Sequence, residues 1–139
     1  MSISKKYIPD YLSDQDKIKA KENILKSREN YKKGLFVDRV KIDSAKNKKS
    51  SYVTKFKDKY GDLSKDEIIT LLEKKGAINI REGINKILSK GRGAFYSSGS
   101  RPNQTGFSWS NARLYSVLLG GDARIIDKDI VSKYKIPLL

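Results

Sequence analysis

This sequence predicts a mainly α fold: a small single helical domain preceded by a basic, partly extended N-terminal arm. Three observations carry that expectation. Helix-start signals recur ahead of apolar residues spaced three and four apart. A glycine or glycine pair follows each such run but the last, where a helix would stop. The apolar residues thin out before about Gly61 and thicken after it. At 139 residues the chain has room for one domain with a modest core. The boundary is expected near residue 50, with an arm over 1–50 and a compact helical domain over 51–139.

In the arm, Ser13 followed by Asp16 caps a helix running to about Lys33, with Gly34 as its stop. Its apolar stripe is thin (Ala20, Ile24 and Tyr31, flanked by Ile18 and Leu25), and lysines 17, 19, 21, 26, 32 and 33 surround it. A helix with so little to bury is stable mainly when docked on something. Leu35 to Ile42 alternates loosely, the pattern of an extended segment, and Ala45 to Ser51 reads as a Lys/Ser/Asn loop.

Beyond it, Tyr52, Val53, Phe56 and Tyr60 mark a short helix ending at Gly61. Ser64-Lys65-Asp66-Glu67 is a capping box, and Ile68, Ile69, Leu71 and Leu72 supply the next buried face before Gly76. Asn79 and Glu82 repeat the signal for a helix carrying Ile80, Ile84, Ile87 and Leu88, with Gly91 as its expected stop. The Gly76-Ala77-Ile78-Asn79 connection resembles a helix-turn-helix in outline. The second helix offers few polar residues to read bases, so a core hairpin is the favoured reading. A loop is then expected from Gly91 to Gly106, a central core helix from Phe107 to Leu119, a break at Gly120-Gly121, and a last short helix over Lys128–Lys133.

Thirty Lys and Arg against sixteen Asp and Glu leave a formal charge of +14. Residues 1–60 hold seventeen basic and eight acidic side chains, net +9; residues 61–139 hold thirteen and eight, net +5. A domain so charged repels itself unless an acidic partner offsets it, which points to nucleic acid, an anionic membrane or an acidic protein surface. A lysine-rich surface is also what a low-GC genome produces.

The chain has no Cys and no His, which excludes disulfides, thiol nucleophiles, imidazole bases and thiolate or imidazole zinc sites. No stretch is apolar enough for an export signal or a membrane span. Gly93 to Gly99 has the wrong spacing for a phosphate loop, and Gly91-Arg92-Gly93 lacks the third glycine of a dinucleotide fingerprint, so no cofactor is expected. Asp122, Asp127 and Asp129 could hold Mg²⁺ as a nuclease would need, but helix capping and first-turn positions account for them as well. No catalytic or metal-binding residue is assigned on this ground, and a non-enzymatic role is expected.

Between Glu82 and Asp122 there is no acidic residue. Glycines, arginines and aromatics crowd that window, a combination that lets backbone approach a phosphate, supplies forked donors and offers stacking faces. The candidate phosphate-binding residues are Lys90, Arg92, Ser97, Ser98, Ser100, Arg101, Asn103, Trp109 and Arg113. The same residue types can equally fill a core and brace a loop, with Arg113 stacked on Trp109 one turn earlier. Both readings stand on the sequence.

The run Lys90-Gly91-Arg92-Gly93-Ala94-Phe95-Tyr96-Ser97-Ser98-Gly99-Ser100-Arg101-Pro102-Asn103-Gln104-Thr105 resembles a family of short basic proteins of unknown role from large DNA viruses of algae and protists, with looser relatives in tailed phages. Ser108-Trp109, Ala112-Arg113-Leu114, Gly120-Gly121 and, in the arm, Lys6-Tyr7-Ile8-Pro9 and Tyr31-Lys32-Lys33-Gly34 extend the resemblance over nearly the whole chain. It implies a viral origin, a place in the host cytoplasm or nucleus during infection or in the virion, and a nucleic-acid or capsid partner. The chain departs from that family's pattern at Gly106-Phe107, where a small residue followed by His is common.

Overall fold

A computed structural model describes residues 3–46 and 50–139, and it is mainly helical. Among these residues there are seven helices and no strand: α1 (Asp14–Lys32), α2 (Ser51–Tyr60), α3 (Lys65–Lys74), α4 (Ile80–Ser97), α5 (Gly106–Leu118), α6 (Asp122–Ile126) and α7 (Lys128–Lys133). The chain divides into two units, one of residues 1–48 with 91–109, the other of residues 49–90 with 110–139. The segment expected to open the compact domain's loop therefore shares a unit with the arm. The Lys/Ser/Asn loop expected over 45–51 falls partly on residues 47–49, outside the described residues.

In the second unit, Phe56 of α2, Ile68, Ile69 and Leu72 of α3, and Ile80, Ile84 and Ile87 of α4 pack with Leu114, Val117 and Leu118 of α5, and with Ile130 and Tyr134. The sequence dictates much of this locally. Ser64 Oγ accepts the Glu67 N–H at 3.1 Å and Glu67 Oε1 accepts the Ser64 N–H at 3.1 Å, closing the capping box that starts α3. Gly76 ends the connection after α3 with φ of 100°. Asn79 takes φ of 46°, a left-handed conformation asparagine tolerates, instead of the extended backbone of a helix cap. Arg124, on the short α6, donates to the carbonyls of Val117 (2.9 Å) and Ile136 (2.6 Å), and so ties the C-terminal segment to α5.

In the first unit, Ser13 Oγ accepts the Asp16 N–H at 3.2 Å and caps α1. α1 buries Ala20, Asn23, Ile24 and Ser27, two of them polar, and Ala20 joins Leu12 and Ile42 in a small apolar cluster. A core that small cannot order the arm alone, and hydrogen bonds supplement it. Asn23 Nδ2 donates to the Asp38 carbonyl (3.1 Å) and its Oδ1 accepts the Val40 N–H (3.0 Å). The Asp38 carbonyl and the Val40 N–H are thus satisfied by a side-chain amide and not by a strand ladder.

The expected stop at Gly91 is corrected, since α4 runs on to Ser97. Each interior glycine costs about 1 kcal/mol relative to alanine. Continuing the helix fully buries Phe95 and nearly buries Tyr96, worth roughly 1.5–3 kcal/mol for a large side chain. The burial outweighs the glycines. The loop is correspondingly shorter, running from Ser98 to Thr105.

Candidate functional site

The residues proposed to bind phosphate fall into both units, and their side chains have different fates. Lys90 and Arg113 belong to the second unit. Arg113 Nε and Nη2 donate to Asp127 Oδ2 and Oδ1, each at 2.8 Å, while Lys90 Nζ lies 3.7 Å from Oδ1. The Asp127 side chain is fully buried, so this guanidinium neutralises an interior carboxylate. With both Asp127 oxygens so engaged, the acid is committed to the fold; among the described residues no group of three carboxylates could hold a metal.

The remaining candidates lie in the first unit. Arg92 is exposed, its guanidinium 5.5 Å from the centre of the Phe36 ring. Ser97 and Ser98 are exposed, and the Ser98 carbonyl accepts from Arg28 Nε at 2.7 Å. Trp109 is half-buried and meets the Tyr7 ring edge-on at 6.0 Å. Ser100 is buried, accepting from Arg39 Nε at 3.1 Å and donating to the Arg101 carbonyl at 3.0 Å. Asn103, with φ of 61°, turns its amide onto Ile42: Oδ1 accepts the Ile42 N–H (2.8 Å) and Nδ2 donates to the Ile42 carbonyl (3.1 Å). Ser100 and Asn103 thus hold the loop in place and leave Arg101, which is exposed, projecting from a pinned backbone.

Arg39 is the keystone that sequence reasoning missed. It stacks 4.3 Å from the centre of the Phe95 ring, and its guanidinium also donates to the Phe95 carbonyl. Burial lowers its pKa to about 10. Nearby, burial and then a hydrogen bond to Asp38 hold the Tyr96 phenol above its ordinary range. The partners of Arg39 lie 56 and 61 residues away in sequence, so no local pattern marks it.

The pinned loop and the arm together form a concave groove of about 270 Å³, lined by Lys6, Tyr11, Lys46, Arg101, Pro102 and Gln104. Three of the six are cations and none is acidic. The Tyr11 hydroxyl accepts the Lys46 N–H at 2.9 Å, and Lys46 Nζ lies 5.4 Å from the centre of the same ring. Among the described residues, the charged groups of Lys6, Lys46 and Arg101 meet no carboxylate. A wider groove in the second unit carries Glu73 and Glu82 among its cations and would repel a polyanion locally. Of the groove residues only Arg101 was singled out in sequence. Lys6 and Gln104 lie in stretches that carry the family resemblance but no binding signal, Tyr11 and Lys46 lie in none, and they converge only through the long-range ties of Asn103 and Arg39.

Comparison with family models decides membership: one model matches residues 4–132. The chain belongs to DUF5824, a family of unknown function. The DUF5824 match takes in α1, the loop and every residue of the groove. No curated protein and no solved structure matches the chain.

Proposed function

We propose that this DUF5824 protein is a non-enzymatic viral protein that binds nucleic acid through the phosphate backbone, using the lysines of its arm with Arg92 and Arg101. The observation that carries the reading is the acid-free groove, where three cations without a carboxylate partner among the described residues surround a loop whose own backbone is already braced. Bracing matters because a preorganised cation loses less conformational freedom on meeting its anion. The exposed Ser97 and Ser98 hydroxyls are further donors for phosphate oxygens. Arg113 leaves the contact set, since displacing it would break the forked pair on a buried carboxylate and leave only Lys90 beside it. The viral resemblance supports action in the host cytoplasm or nucleus, or within the virion.

The test is fluorescence anisotropy of a labelled oligonucleotide titrated with the full chain over a range of KCl concentrations. Log affinity should fall linearly with log salt, with a slope set by the phosphates neutralised. An isotherm flat between low and physiological salt overturns the reading. Replacing Arg92 and Arg101 together by Ala should weaken binding while leaving the circular-dichroism spectrum unchanged.

A second reading, a virion protein docking on a capsid neighbour, is favoured by Leu35 and Phe36, which are 55% and 57% exposed on the same arm. Retention in purified particles at a fixed ratio to capsid after nuclease treatment, without salt-dependent oligonucleotide binding, would select it.

A further inference from the structure

We infer that the groove of Lys6, Tyr11, Lys46, Arg101 and Gln104 takes a single-stranded nucleic acid, with one unpaired base on the Tyr11 ring and its flanking phosphates on the three cations. The inference rests on the nucleic-acid reading above and narrows it to a strand class.

Three features argue for an unpaired strand. The groove is small: about 270 Å³ falls just below the roughly 300–1,000 Å³ of ligand sites and suits no more than one nucleotide unit, not a duplex face. Its floor is chemically mixed in the way a nucleotide is. Tyr11 is 51% exposed and offers π surface, and Pro102 offers a second apolar wall. The Gln104 amide, its Oε1 already accepting from Ser108 Oγ at 2.8 Å, lines the groove with an Nε2 donor suited to a base edge. A duplex keeps its bases stacked on one another, so it could use the cations but not the ring. Finally, the ring is held. Its hydroxyl accepts from the Lys46 backbone, and the Asn103–Ile42 and Ser100–Arg39 bonds fix the loop that carries Arg101. A fixed aromatic beside fixed cations reads backbone and base at one nucleotide.

The experiment compares a labelled single-stranded oligothymidylate with a blunt duplex at matched phosphate concentration and salt, using the full chain. The single strand should bind about tenfold more tightly. Tyr11→Leu should reduce single-strand affinity by about tenfold, leave duplex affinity unchanged and leave the salt slope intact, because no charge is removed. Tyr11→Phe keeps the ring, loses only the Lys46 bond, and should retain most of the single-strand preference. Lys6→Gln with Arg101→Gln should flatten the single-strand salt slope by about 1.4, roughly 0.7 for each phosphate that is no longer neutralised.

Equal affinity of the unmodified chain for both strands overturns the inference while the nucleic-acid reading stands. So does a Tyr11→Leu variant that loses both strands equally, or a doubly substituted chain with an unchanged slope. If the unmodified chain binds neither strand, both proposals fall together. Should Tyr11→Leu prove unfolded, the comparison on the unmodified chain and the slope of the Gln variant still decide.

Discussion

Arg113 and Asp127 form a forked pair, Nε to Oδ2 and Nη2 to Oδ1, both at 2.8 Å, with the carboxylate fully buried and the guanidinium mostly so. Two parallel charge-assisted bonds satisfy an interior acid that would otherwise keep only the longer contact with Lys90 Nζ at 3.7 Å. Arg113→Ala should cost about 3–5 kcal/mol in urea unfolding, because it leaves that buried charge with only the longer Lys90 contact and both forked bonds unmade. Arg113→Lys should rescue little, since an ammonium cannot reproduce the fork. Replacing the pair together by leucines should cost less than either single change.

Arg39 positions the loop without presenting its own charge. Arg39→Lys keeps the cation but loses the Ser100 bond and the stack on Phe95. Thermal melts should show a loss of about 1–3 kcal/mol. Oligonucleotide affinity should fall as well, although no exposed charge has been removed. Unchanged affinity in a folded Arg39→Lys variant would separate the groove from its brace.

Gly83 and Gly93 sit inside the same helix and should respond differently to alanine. A Cβ at Gly83 would stand 2.8 Å from Tyr134 Cγ, closer than packed carbons come, so Gly83→Ala should destabilise by about 1–3 kcal/mol. At Gly93 the nearest atom is Tyr31 Oη at 3.3 Å. That mild crowding is set against about 1 kcal/mol of helix propensity, so Gly93→Ala should be close to neutral. Paired urea titrations check both.

Asp16 gives a pH dependence with a definite sign. Hydrogen bonds from the Ser44 hydroxyl and the Ser44 N–H (2.9 Å) hold its carboxyl below the ordinary value of 3.8. A group whose pKa is depressed by folding stabilises the fold above its unfolded value and loses that contribution as pH falls through the folded one. Protection of the Ser44 amide against hydrogen exchange should therefore persist somewhat below pH 3.8 and then be lost. In Asp16→Ala it should be absent at every pH.

The helices were legible where cause and effect are neighbours. Ser13 with Asp16, and Ser64 with Glu67, announce their caps within three residues, and α5 shows in its near-continuous apolar circumference. Gly91 misled because a glycine after a periodic run ordinarily ends it; Phe95 and Tyr96, further on, made continuation favourable. α6 escaped notice because five residues carry too little periodicity to register. The groove was only one-sixth visible, through Arg101, because Lys6, Tyr11 and Lys46 look like scattered arm residues until Asn103 bonds to Ile42, 61 positions away.

Each unit is assembled from two separate lengths of chain. No contiguous fragment of the gene therefore encodes a whole one. Truncating the arm to lower its charge would also remove Ser27, Arg28 and Arg39, whose side chains satisfy the carbonyls of Tyr96, Ser98 and Phe95. A shortened protein that ceased to bind would have lost its scaffold along with its cations. Divergence within the lineage meets the same restriction: the cationic leader cannot be discarded, exchanged or grafted elsewhere unless the distant glycine-rich stretch travels with it.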